Sequence, residues 1–238
     1  METPVPAQPH SGRYRRIANP LHTLVVLVAV GAIAFRGAMN AELMRSAVNP
    51  DRIRMYERTI LTEWLMFAFV LLGLRLAGSP LATVVGERWR SIRDVLRDVG
   101  IGVAFSIVST ILLSVLDPHG HGSHDRAVQF LLPHGGAEMT LWIALSVTAG
   151  ICEEALYRGY LQRQFMALTN NAPTGILMAG AAFGLSHAYQ GLHWAVVIGI
   201  EGALLGALAY WRKSVRPGMI AHAWKDALAP VLMSLPRH

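Results

Sequence analysis

Charge is what this chain has least of. Only 15% of its 238 residues are Asp, Glu, Lys or Arg, whereas 53% are hydrophobic; soluble domains carry about 25% charged residues. Apolar runs recur along the whole length, and the shortage of charge leaves no polar block large enough for a separate soluble core. Cysteine is almost as scarce. The single Cys152 rules out an intramolecular disulfide framework, and its place inside an apolar run suits small-residue packing. A convincing small-residue cleavage pattern is also missing after Phe35. Arg13, Arg15 and Arg16 therefore lead into a retained first helix rather than a signal peptide.

What is present points to the bilayer. A net charge of +6 sits largely in arginines between the apolar runs, where it sets topology and meets anionic lipid; nucleic acid is not an expected partner. The expected fold is all-α, a polytopic membrane bundle of about seven or eight transmembrane helices. Residues 1–20 form a flexible basic arm and 21–238 a single multi-pass membrane domain. Apolar runs fall at 21–35, 60–76, 101–116, 138–168, 174–189, 192–211 and 217–235. A polar stretch occupies 36–58. Residues 86–100, with Trp89 and aliphatics among arginines, read as a helix lying in the headgroup layer. A loop at 117–136 carries His119, His121, His124, Asp125 and His134; four histidines and an aspartate could hold a metal, but a glycine-rich loop offers no rigid scaffold. Alternating seven runs from a cytoplasmic N-terminus puts most arginines on one side, and segment 36–58 is the exception.

Ionisable residues inside such runs cost several kcal/mol unless they are paired or face a wet cavity, so each marks a candidate functional site. Glu63 and Arg75 lie near the ends of the second run, where side chains reach the interface. Glu201, in the middle of the sixth run, has no partner identifiable from the sequence. Three clusters remain: Glu153 and Glu154 with Arg158, then His187, then His222 with Asp226. Glu154 and Arg158 are four apart and share a helix face, which leaves Glu153 pointing about 100° away. Phe183 and His187 share a face, as do His222 and Asp226. A hairpin turning at Asn170 or Asn171 puts Glu154 and His187 at one depth, and His222 enters from the same side. A carboxylate and two imidazoles converging in a membrane cavity can activate water, either with the carboxylate as general base or with Glu153, His187 and His222 on a divalent metal such as zinc. Taken singly, each cluster reads equally well as a structural ion pair or interhelical hydrogen bond. A proton relay in a small transporter is the other functional reading.

In order and spacing, Glu153 to Arg158, Phe183 to His187 and His222 to Asp226 resemble the EExxxR, FxxxH and HxxxN/D motifs of the CAAX prenyl protease and bacteriocin-processing (CPBP, or Abi) intramembrane protease family. The likeness covers about 138–230, including the glycine-rich sixth run that leads to His222. The resemblance implies an intramembrane endopeptidase cleaving a membrane-associated or lipidated substrate near the membrane surface, with the cell membrane as its setting. On that pattern Glu153 activates the water and Glu154 with Arg158 supports it. His187 and His222 bind the water, a metal or the oxyanion, and Asp226 completes the site. Asp226 stands where many members have asparagine, and an ionised acid cannot donate to an oxyanion. The family has been described both as metallo- and as glutamate-dependent, and the chain has no HExxH zinc motif. A catalytically silent membrane scaffold or immunity-type protein would carry the same helices.

Overall fold

The computed structural model describes residues 13–117 and 128–234, and among these every regular element is a helix. Residues 1–12 of the expected arm and His119, His121, His124 and Asp125 of the histidine loop lie outside the described residues. From Arg13 onward the chain is docked. Tyr14 N–H donates to Asn170 Oδ1 at 3.1 Å and Ile17 N–H to Gln164 Oε1 at 2.9 Å, and Ile17 and Ala18 are buried.

Helix α1 (Pro20–Ser46) starts where Asn19 Oδ1 accepts the Leu21 N–H and Pro20 occupies the first turn, and α2 (Arg52–Leu76) starts at an Asp51 cap. The polar stretch expected at 36–58 is therefore mostly helix. Polar side chains do not stop a helix once it has been nucleated, and the break comes only at Ala47 to Asp51, around Pro50. A one-turn α3 (Ala82–Val85) follows. The headgroup-layer helix expected at 86–100 is not a separate element. Ser91 and Asp94 form a capping box that starts α4 (Ile92–Leu116), and this helix continues without a break through the expected third run. Before it, Trp89 Nε1 donates to buried Asp98 at 2.8 Å, while Arg212 Nη2 lies 3.3 Å from the same carboxylate.

Helix α5 (Gly136–Thr169) is a continuous rod of 34 residues, about 50 Å long. It ends at left-handed Asn170, and Asn171 caps α6 (Ala172–Ser186) by accepting the Thr174 N–H. After a 3-10 turn, Ala188–Gln190, come α7 (Leu192–Arg212) and α8 (Arg216–Ser234), joined at left-handed Lys213. Small residues let α6 and α7 approach closely: a Cβ at Gly184 would sit 2.1 Å from the Ala195 carbonyl oxygen.

Five helices among the described residues are long and apolar enough to cross a bilayer: α1, α2, α4, α5 and α7. The count of seven or eight is not reached on those criteria. The 15 residues of α6 reach only about 22 Å against the roughly 30 Å of hydrocarbon. The apolar run of α8 is interrupted by His222, Lys225 and Asp226. Helix α5 runs through the middle of the bundle: 44% of its apolar window is buried inside the protein, against 11% for α1 and 17% for both α2 and α4. The main apolar core, including Val26, Val70, Leu74, Tyr160, Leu161 and Phe183, packs around its central turns.

Candidate active site

The middle of α5 is not an ordinary α-helix. From Glu154 to Leu161 its backbone hydrogen bonds widen to the π pattern, and all eight residues of that segment are buried. Wide turns of this kind are frequent at functional sites, since their backbone cost must be offset by something else. Here the wide turn starts at Glu154, so Glu153 ends the α-helical part and Glu154 opens the buried π part.

Glu154 is fully buried, and two side-chain nitrogens converge on its Oε1. Arg158 Nη1 approaches to 2.8 Å, as an ion pair whose angle misses good hydrogen-bond geometry, and His222 Nδ1 to 3.1 Å. The pair is thus the one expected from the four-residue spacing. Arg158 is buried too. Its Nε donates to the Gly202 carbonyl at 3.3 Å, and its guanidinium lies 4.1 Å from the centre of the Phe183 ring. A planar, weakly hydrated guanidinium suits such a site. Two glycines make the room. A Cβ at Gly202 would come within 2.9 Å of Phe183, and one at Gly218 within 2.9 Å of Glu154 Oε2.

His222 is the hub. Its Nδ1–H donates to Glu154, because a carboxylate only accepts. Its Nε2 then faces Glu153 Oε2 at 3.8 Å and Asp226 Oδ2 at 3.4 Å. His187 stands on the other side of Phe183. Its Nδ1 donates to the Phe183 carbonyl at 2.9 Å, which leaves the Nε2 lone pair available. The Phe183 ring lies 4.7 Å from the His187 ring and 5.8 Å, edge-on, from the His222 ring. Glu153, His187, His222 and Asp226 all line one cavity of about 630 Å³, whose walls include Phe105, Ile111, Trp142, Trp194 and Leu228.

The structure therefore brings Glu153, Glu154, Arg158, His222 and Asp226 into direct contact and sets His187 beside them across the phenylalanine. Among the described residues no group of three or more His, Cys, Asp or Glu side chains is arranged to hold a metal ion. As placed, Glu153, His187 and His222 do not form a closed ligand set. Two charged features were misread or left open in the sequence. Glu201 pairs with Lys225 across the same cavity. Glu63 does not reach the interface, because α2 begins at Arg52 and carries it about three turns into the bundle, where its Oε2 is buried. The signal was an acid inside an apolar run, and the misplaced start of that run concealed it.

The family of type II CAAX prenyl endopeptidases, Rce1-like, matches residues 135–228. That segment takes in α5, α6, α7 and most of α8, with all six candidate residues, and leaves out α1, α2 and α4. No significant match to a curated protein or to a solved structure accompanies it. An Rce1-like segment and five apolar helices of spanning length, in a structure that is all-helical among the described residues, mark an integral membrane protein.

Proposed function

We propose that the protein is an intramembrane endopeptidase that hydrolyses a peptide bond with a water activated by Glu153. The observation carrying this reading is His222 Nε2 held toward Glu153 and Asp226, while Nδ1 is tied to the buried Glu154–Arg158 pair, at the edge of a largely apolar cavity. Glu153 is the one carboxylate of the pair not consumed by Arg158.

In the proposed reaction Glu153 takes a proton from water as the oxygen adds to the scissile carbonyl carbon. The tetrahedral oxyanion forms within reach of the His222 Nε2–H, which is directed by the carboxylates around it. When the carbon–nitrogen bond breaks, the proton held by Glu153 passes to the leaving amine, so that water is divided between the two products. Positioned proton transfer of this kind is worth about 10²–10⁴ in rate. Arg158 and Glu154 keep His222 in one orientation, and His187, anchored by the Phe183 carbonyl, offers its Nε2 lone pair to a hydrogen of the water. Asp226 orients His222 as an acceptor. Apolar cavity walls beside the carboxylate support a membrane-associated or lipidated peptide as substrate and the cell membrane as its setting.

Glu153→Gln in purified, reconstituted protein is expected to keep the fold and lose cleavage of a lipidated peptide by at least about 10²-fold. Turnover equal to wild type would remove Glu153 from the chemistry. Substrate counterflow without cleavage would make the protein a transporter, and neither activity would make it a scaffold. Metal content of the same sample, with chelator treatment, separates metal-assisted from direct carboxylate chemistry.

A further inference from the structure

Outside the matched segment, an acidic side chain approaches the site from a helix that the motifs do not include. Glu63 sits on α2, which packs lengthwise on the first part of α5. The register between the two helices is pinned beside it, where Trp64 Nε1 donates to Thr148 Oγ1 at 3.3 Å. Thr148 lies one turn before Cys152 and Glu153. At that register Glu63 interacts electrostatically with Glu153, His222 and Asp226. Glu63 Oε2 and Glu153 Oε2 are both closed off from solvent, and neither has a hydrogen-bond partner among the described residues.

An acid in this position has no local structural reason to be there. A carboxyl oxygen buried without a donor costs free energy comparable to a lost charged hydrogen bond, and a leucine would pack the α2–α5 contact without that cost. Two carboxylates enclosed together repel, whereas one hydrogen shared between them satisfies an oxygen on each. We propose that Glu63 is a positioning residue for the hydrolysis proposed above. Its carboxyl shares a hydrogen with Glu153 and fixes the direction in which the Glu153 carboxylate addresses the water. The inference rests on the peptidase reading.

The test compares Glu63→Leu and Glu63→Gln with wild type and Glu153→Gln in the reconstituted peptidase assay, together with thermal unfolding. Glu63→Leu is expected to lower kcat by about 10–100-fold, the range for residues that orient an active group, with KM little changed and an unfolding midpoint equal to or above wild type. Glu63→Gln keeps an N–H for Glu153 and is expected to restore kcat to within a few-fold of wild type. Full kcat in Glu63→Leu, or a lowered midpoint with kcat and KM both impaired in Glu63→Gln as well, makes Glu63 a packing residue and overturns the inference alone. A wild-type protein that cleaves nothing overturns the peptidase reading and this inference with it.

Discussion

Helices α1 and α5 are both long, apolar and free of internal proline, yet they do opposite work. On α1, Leu21, Leu24, Val28, Phe35 and Leu43 are exposed, and only Thr23, Val26 and Ala41 are buried. On α5 a glutamate and an arginine are among the most completely buried side chains of the protein, within a π segment that has no exposed residue. Both are apolar enough to span a bilayer. What does is where the exceptions fall: α5 carries small and charged residues that need specific neighbours, while α1 carries aliphatic residues that lipid satisfies. A helix in a membrane gains little from burying a leucine against protein, since the surrounding lipid is equally apolar, so close packing and polar pairing define the interior.

Arg158→Met strikes this contrast hardest. It leaves Glu154 buried with only His222 beside it, and removing one partner of a buried pair costs about 3–5 kcal/mol. Loss of folded protein, or a large drop in the unfolding midpoint in detergent, is the expected result; a midpoint equal to wild type would mean that the pair contributes nothing to the interior of α5. Gly184→Ala comes next. Its Cβ would overlap the Ala195 carbonyl oxygen at 2.1 Å, so α6 and α7 must separate at an expected cost of about 1–3 kcal/mol. Peptidase activity should fall with stability, because α6 carries Phe183 and His187. The smallest effect belongs to the outer shell. Leu24→Ala on α1, at a site 57% exposed, is expected to change stability by less than about 0.5 kcal/mol and to leave cleavage unaltered. A loss as large as that of Gly184→Ala would show that α1 is covered by protein rather than lipid.

Much of the site was legible because its logic is local. Four-residue spacing makes Glu154 and Arg158 neighbours, and the same spacing joins Phe183 to His187 and His222 to Asp226; all three contacts are present. The α5–α6 hairpin turns at Asn170 and Asn171, as the Asn-Asn-Ala-Pro stretch indicated. Less of the architecture could be read. The expected ends of α1 and α2 and the separate helix at 86–100 were judged by polarity, whereas caps and Pro50 set the real boundaries. The partner of Glu201 was out of reach because Lys225 lies on another helix, and the place of Glu63 depended on where α2 begins.

By itself the sequence determined that the chain is helical and apolar enough for a membrane, with acids and histidines at helical spacing in motifs that resemble those of CAAX proteases, since composition, periodicity and i,i+4 spacing act within single helices. Only the tertiary structure decided that His222 sits between Glu154 and Glu153, that Phe183 stands between the two imidazoles, and that α2 carries Glu63 into the interior beside the first part of α5. Those are contacts between helices, set by where glycines let backbones approach and where a buried charge finds its partner. Neither is a property of any one segment.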